Sequence, residues 1–258
     1  MLKKRLIPKF LARKSVPSRG SDFEACISES YSKFRMVGSL KSQLSIFESN
    51  KADELLVINA SKIPGPLDVD FIQAISDCVE ALSTPIMVGG GVNSREDAAA
   101  LVDAGVEKLL CGISSRDHAF HEEIAKLLGS QALSISIDYR ITTEGICIGN
   151  TEKFIADLAS FEKLIVQIEN SGAGEIILNR IDYDGKRSGL DLETLQTVLG
   201  IAKVPIVLAS GAGKVEHFIS AFEAGADGIA TGTFFAKMDQ NPLQLRSRLF
   251  NAGINIRA

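Results

Sequence analysis

Residues 85–112 read "PIMVGGGVNSREDAAALVDAGVEKLLCG" and residues 205–232 read "PIVLASGAGKVEHFISAFEAGADGIATG". The segments align without a gap, 120 positions apart, and share Pro85/Pro205, Ile86/Ile206, Gly91/Gly211, Glu96/Glu216, Ala104/Ala224, Gly105/Gly225 and Gly112/Gly232. Each copy is a proline-started apolar run, a glycine turn, an amphipathic stretch of helical period, an Ala-Gly turn and a second apolar run. "ADELLVIN" (52–59) and "AGEIILN" (173–179) stand at similar distances before the two copies, so the likeness extends outward. Self-similarity at this scale marks a repeat architecture. Strands alternating with helices predict a parallel sheet with helical crossovers.

Working outward from the repeat, strands are expected near 5–11, 53–59, 85–89, 107–111, 132–138, 175–179, 205–209 and 228–232. Helices are expected around 29–49, 67–82, 93–104, 117–128, 151–171, 191–200, 214–224 and 241–250. Eight strand–helix units in two matching halves predict an α/β fold, a (β/α)₈ TIM barrel occupying 1–258 as a single domain. The 258 residues suit such a barrel. An open doubly wound sheet accounts for the half-repeat less well.

The bulk numbers narrow the function. With 28 basic and 32 acidic residues the net charge is −4, and no basic tract forms a nucleic-acid footprint. No apolar run approaches the roughly 20 residues that span a bilayer. The apolar part of "MLKKRLIPKF" is too short for a signal peptide, so a cytoplasmic location is expected. Cys26, Cys78, Cys111 and Cys147 lie far apart with no CxxC pair, which points to neither a disulfide framework nor a zinc site. His118 and His121 are spaced i, i+3 and could share a metal. No third ligand is in sight, so they read as a solvated helix face, and neither metal nor cofactor is expected.

Active sites of such barrels lie at the C-terminal ends of the strands. The expected strand ends are Leu11, Asn59, Gly89–Gly91, Gly112, Asp138, Asn179, Ser210–Gly211 and Gly232–Thr233. Glycine turns leave backbone N–H groups bare for phosphate oxygens at helix N-termini. Placed on symmetric strands, they predict two opposed phosphate sites, fit for a substrate phosphorylated at both ends. Gly211, Gly213, Gly232 and the Thr233 hydroxyl equip one site. Gly91 and Gly112 equip the other, where the side chain of Ile113 has nothing to donate. Asp138 closes the apolar run "ALSISID" and reads either as a general acid or base or as a turn acid. Asp184 in "DYDGKRSG" reads either as a second functional acid or as an Asp-Gly turn residue. The half-repeat counterpart of Asp138 is Leu11, so no matching carboxylate faces it.

The chain resembles the cyclase subunit of imidazole glycerol phosphate synthase, the HisF family, over essentially its whole length. The likeness is strongest in "VGGGVNSREDAAALVDAGVEK", "SGAGEIIL", "DYDGKRSGLDLE" and "SGAGKVEHFISAFEAGADG". The resemblance implies an ammonia-dependent lyase and cyclase of histidine biosynthesis. Its partner would be a glutaminase (HisH-type) subunit docked on the N-terminal face of the barrel. Ammonia would pass through the barrel to a bis-phosphorylated nucleotide-like substrate. It also implies an ammonia gate, matched here by Arg5, Glu54, Lys108 and Glu175; a structural ion-pair cluster is the alternative reading of those four residues.

At the mouth the match is partial. The family uses two catalytic aspartates; Asp138 matches one and Leu11 occupies the position of the other, which breaks the acid/base pair. Asp184-Gly185 is kept. Arg19 stands where the family has lysine, keeping charge but not point-charge geometry. Asn59 replaces an aspartate and Asn179 a threonine. Gly112 and Ile113 replace two phosphate-binding residues. Gly211, Gly232 and Thr233 agree with the family, while Ala209 and Ser210 depart. These residues imply a cyclase subunit, or a diverged relative that delivers ammonia for amidination of a surface-polysaccharide sugar without histidine-pathway cyclase activity. A non-catalytic ammonia conduit is a further reading. A phosphosugar isomerase on the same scaffold would want two opposed aspartates, and Leu11 denies one.

Overall fold

The computed structural model describes residues 3–14, 23–61, 66–113, 118–149, 153–155, 158–238 and 240–257. The strands in the first half are β1 (Arg5–Lys14), β2 (Phe23–Glu29), β3 (Lys33–Ser39), β4 (Leu55–Asn59), β5 (Ile86–Gly89) and β6 (Lys108–Gly112). In the second they are β7 (Leu133–Thr142), β8 (Gly145–Ile148), β9 (Lys153–Ile155), β10 (Glu175–Arg180), β11 (Ile206–Ala209) and β12 (Gly228–Thr231). Eight of them pair in parallel in the order β1-β4-β5-β6-β7-β10-β11-β12, and β12 returns to β1. That closed ring is a (β/α)₈ barrel. Closure leaves no open edge among the barrel strands.

The helices pack outside: α1 (Leu40–Ser49), α2 (Val69–Ala81), α3 (Arg95–Asp103), α4 (His118–Leu128) and α5 (Leu158–Asn170). They are followed by α6 (Leu192–Leu199), α7 (Val215–Glu223), α8 (Thr233–Lys237) and α9 (Pro242–Asn251). None among the described residues is long and apolar enough to cross a membrane. Because strand side chains alternate, each barrel strand serves two cores. Leu6, Phe10, Leu55, Val57, Ile86 and Val88 face the helices. Ile7, Leu56, Met87, Leu110, Ile177 and Val207 fill the interior.

Two segments depart from the expected helices. Residues 29–49 were expected to be one helix, but the chain first builds the antiparallel hairpin β2–β3, and α1 begins only at Leu40. The hairpin exists because β1 overruns the barrel rim to Lys14 and needs a partner, which β2 supplies through Leu11↔Cys26 and Lys14↔Phe23. Likewise β7 runs past Asp138 to Thr142, β8 and β9 add to it in antiparallel fashion, and α5 starts at Leu158 rather than near 151. β1 and β7 are half-repeat counterparts of ten residues each. Leu11 and Asp138 therefore lie within long strands at rim height, not at strand ends.

The expected solvated face of α4 is also corrected. His121 is fully buried, beside Ile124 on the core-facing side, with the Phe120 and His118 rings 5.9 and 6.4 Å away.

Candidate active site

The barrel axis threads three layers. At the bottom, Arg5, Lys108 and Glu175 open their strands and Glu54 immediately precedes β4, so all four point inward at one height. Arg5 Nη1 donates to Glu54 Oε2 at 2.9 Å, and its Nη2 donates to Glu175. Lys108 Nζ lies 3.1 Å from Glu54 Oε1 and 3.8 Å from Glu175 Oε1, and the Ser134 hydroxyl donates to Glu175 Oε1 at 3.1 Å. Signs alternate around a closed ring. Burial raises the Glu54 carboxyl above its ordinary range, against the pull of Lys108 and Arg5. Burial opposes the Arg5 charge, but Glu175 and Glu54 more than offset it and its pKa rises. Two depressions of about 320 and 330 Å³ open on this lower face, and both reach Arg5 and Lys108.

Above the ring lies the apolar layer of Ile7, Leu56, Met87, Leu110, Ile177 and Val207. Above that the interior turns polar again, around a residue that sequence reasoning missed. Lys9, 6% exposed, extends inward with the parity of Arg5 and Ile7. Its ammonium is 3.0 Å from Tyr31 Oη, 3.4 Å from Ser210 Oγ and 3.5 Å from Asp184 Oδ1. Two hydrogen bonds and one ion pair hold the ammonium. Desolvation opposes this charge, yet the Tyr31 oxygen and the Asp184 carboxylate outweigh it, and the pKa is raised.

Asn179 joins this cation to the acids. Its Nδ2 donates to Asp138 Oδ1 at 2.7 Å and to Tyr31 Oη at 2.9 Å, while its Oδ1 accepts from Ser210 Oγ at 2.7 Å. Ser136 Oγ also donates to Asp138 Oδ1, at 2.8 Å. Asp184 is buried with both oxygens engaged, one by Ser28 and the other by Ser210 at 3.3 Å and by Lys9. Asp184 is thus the counter-ion of Lys9. Its loop is tied down at Asp191, which accepts from Tyr139 Oη at 2.8 Å and from Arg180 Nη1 at 3.1 Å.

The turn after β11 explains the position of Ser210. Ser210 and Gly211 are consecutive left-handed residues, with φ of 73° and 93°. At Gly211 a Cβ would lie 2.0 Å from the Gly189 carbonyl oxygen, so no side chain fits. Ser210 accepts a conformation that costs a non-glycine residue on the order of 1–3 kcal/mol, and its hydroxyl is held by Asn179, Asp184 and Lys9. The equivalent pair in the other half, Gly90 and Gly91, has φ of 84° and 85°.

The remaining expected site residues are less convergent. Asn59 uses its Oδ1 to accept the Ser61 N–H at 3.0 Å, an Asx turn leaving β4. After Gly112 the Ile113 N–H is taken by the Ser136 carbonyl at 3.0 Å. The Gly213 N–H at the start of α7 is capped by His217 Nδ1 at 3.1 Å, and burial lowers the His217 pKa. Gly232 and Thr233 form the short turn entering α8. Arg19 lies outside the described residues. Among the described residues no group of three His, Cys, Asp or Glu is arranged to hold a metal.

The sequence matches known proteins over most of its length. The family model for histidine biosynthesis proteins matches residues 28–240. The chain belongs to the HisF family. It is 33% identical, over all of its length and 99% of the relative's, to the "putative imidazole glycerol phosphate synthase subunit hisF2" of Prochlorococcus marinus (strain MIT 9313). The similarly named protein of Campylobacter jejuni (serotype O:2) is 29% identical over 100% of this chain and 99% of its own. Imidazole glycerol phosphate synthase subunit HisF of Pyrobaculum aerophilum is 32% identical over 82% of this chain and 83% of its own. In this barrel Leu11 and the buried Lys9, held among Tyr31, Ser210 and Asp184, share the inner face of β1 at the mouth.

Proposed function

We propose that this chain is the synthase subunit of an ammonia-transferring pair. It receives ammonia from a glutaminase docked on its lower face and adds it to a phosphorylated acceptor at the upper face. The observation that carries this reading is the stacking of three layers on one axis. A closed ring of alternating charge lies at the floor, an apolar layer above it, and an acid with one uncommitted oxygen at the mouth. Asp138 Oδ1 is taken by Ser136 and Asn179, while no bond engages Oδ2 among the described residues. That oxygen is the base that removes a proton from the attacking nitrogen. Arg5, Glu54, Lys108 and Glu175 act as the gate, whose ion pairs must separate to pass a small neutral molecule. Asn59, Asn179 and the turns at Gly91, Gly112, Gly211, Gly232 and Thr233 surround the acceptor, and the assignment of Arg19 to it rests on the family resemblance alone.

A second reading concerns the acceptor. Leu11 removes the first acid and Lys9 brings a positive charge to the same inner face of β1, which favours an acceptor other than the histidine-pathway nucleotide, such as the sugar of a surface polysaccharide. The test is twofold. Glutamine hydrolysis by the cognate glutaminase is measured with and without this chain, and stimulation is expected; none would overturn the pairing. Cyclase turnover is then measured with free ammonium and the bis-phosphorylated histidine-pathway substrate, and rates equal to those of histidine-pathway HisF proteins would overturn the altered acceptor. Asp138→Asn is expected to lower whichever ammonia-dependent reaction occurs by about 10²-fold or more.

A further inference from the structure

The hydroxyl of Tyr31 is the most informative group that the proposed function leaves unused. The hydrogen-bond donors around it determine where its proton goes. Asp138 is a carboxylate and only accepts, so Asn179 must face it with Nδ2. The second Nδ2 hydrogen then points at Tyr31 Oη, 2.9 Å away. Lys9 has no lone pair to offer, so it too donates to Tyr31 Oη, at 3.0 Å. Both lone pairs of the phenol oxygen are occupied, and no described residue accepts its proton. The proton is thus left without an acceptor among the described residues, as Asp138 Oδ2 is left without a donor among them.

The backbone holds Tyr31 there at a cost. Ser30 and Tyr31 form the tip of the β2–β3 hairpin, each with φ of 52°. A bulky residue in that region is uncommon and strained. The tip is also fixed from below, by the Ser30 N–H bonded to the Asp184 carbonyl at 3.1 Å.

We propose that Tyr31 is the catalytic proton donor of the site, taking the part left empty by Leu11, and that Lys9 is the positioning residue that holds and polarises its oxygen. The proposal rests on the ammonia-transfer reading and deepens it. As ammonia attacks an electrophilic carbon of the acceptor, a C–N bond forms and the electron pair of the C–O π bond moves to oxygen. Tyr31 gives its proton to that oxygen, and Asp138 takes one from the new C–N nitrogen. Tyr31 is left as a phenolate beside the Lys9 ammonium, and water at the mouth returns the proton from Asp138. The charged groups that face the phenol are Lys9 on β1, Asp138 on β7 and Asp184 after β10. Lys9 favours the phenolate, the two acids and burial disfavour it, and so Tyr31 stays protonated until a developing anion draws the proton away.

The test uses the full chain with 3-chlorotyrosine inserted at position 31, whose phenolate absorbance is titrated directly; the chain has no tryptophan to obscure the signal. Lys9→Met is expected to raise the midpoint by at least one pH unit, a tenfold change, while Asn179→Ala raises it less. A midpoint unmoved by Lys9→Met overturns the proposal. With ammonium and any acceptor that the chain turns over, Tyr31→Phe is expected to lower kcat about 10²-fold with little change in KM. Unimpaired turnover of Tyr31→Phe also overturns it. Failure of the glutaminase to respond to this chain would sink the ammonia reading alone, since the titration needs neither partner nor substrate.

Discussion

Replacing Glu175 by Gln tests the ring at the barrel floor without changing side-chain volume. In the native ring Glu175 accepts from Arg5 and from Ser134 at 3.1 Å and lies 3.8 Å from Lys108. The amide leaves Arg5 and Lys108 sharing one carboxylate, Glu54, in a site where both acids are almost fully buried. Breaking a buried pair by removing one partner costs about 3–5 kcal/mol. The lower end applies here, because the Arg5 and Lys108 side chains keep 16% and 24% of their surface in water. Unfolding entropy near 2.1 cal/mol/K per residue gives about 0.5 kcal/mol/K for this chain. A loss of about 3 kcal/mol therefore lowers Tm by about 6 °C. Differential scanning calorimetry at neutral pH and low salt reads this directly. A Tm within 1 °C of the parent would refute the reasoning, because it would mean that the four charges do not depend on one another.

Three further outcomes follow from single sites. Gly211→Ala places a Cβ against the Gly189 carbonyl at a φ of 93°, and is expected to cost about 2 kcal/mol or more in a urea titration; an unchanged midpoint would show that the loop after β10 is not seated there. The Glu54 carboxyl is held above its ordinary 4.5 by burial, so the folded chain binds this proton more tightly than the unfolded chain. Its contribution is full below pH 4.5 and is lost as pH rises through the higher folded value; parent stability minus that of Glu54→Gln should fall between pH 4 and 7, and a rising difference would contradict the sign. Burial pushes Cys26 and Cys78 up to about 11 and Cys111 up to about 12. At pH 8 these thiols should react with a disulfide reagent at least about 10²-fold more slowly in the native chain than in urea, and fast native labelling, assigned by mass spectrometry, would contradict their burial.

The repeat made the barrel legible because its punctuation is chemical. The turn after each repeat strand requires left-handed backbone, and Gly90, Gly91 and Gly211 announce it. The hairpin β2–β3 was not legible for the converse reason. Its tip is Ser30-Tyr31, left-handed residues without the Asn-Gly or Gly signature that marks such turns, and "SESYSK" therefore reads as the start of a helix. Asp138, Asp184 and Asn179 could be found as polar residues following apolar runs. Lys9 could not be found that way, since it lies inside the strand. The available signal was parity: in "RLIPKFL" the basic residue at 9 shares its face with Arg5, Ile7 and Leu11, which puts a charge inside a barrel where only a counter-ion could keep it. Tyr31 becomes visible only once that counter-charge has been traced through space.

The charge at the mouth and the apolar layer below it constrain each other on the proposed route. An ammonium ion crossing Ile7, Leu56, Met87, Leu110, Ile177 and Val207 would lose its hydration without a partner, whereas neutral ammonia carries no such cost. Nitrogen therefore arrives with three hydrogens and, on attacking carbon, becomes a cation that must shed one. A second carboxylate at the mouth would serve that deprotonation but could not protonate the departing or developing oxygen unless its pKa were raised. A phenol needs no such adjustment, because it is protonated at neutral pH. On this proposal Lys9, held by two hydrogen bonds and an ion pair, acts through the field it sets at Tyr31. On the same proposal, Leu11 with Lys9 and Tyr31 thus exchanges a carboxylate pair for an acid and a base of different kinds.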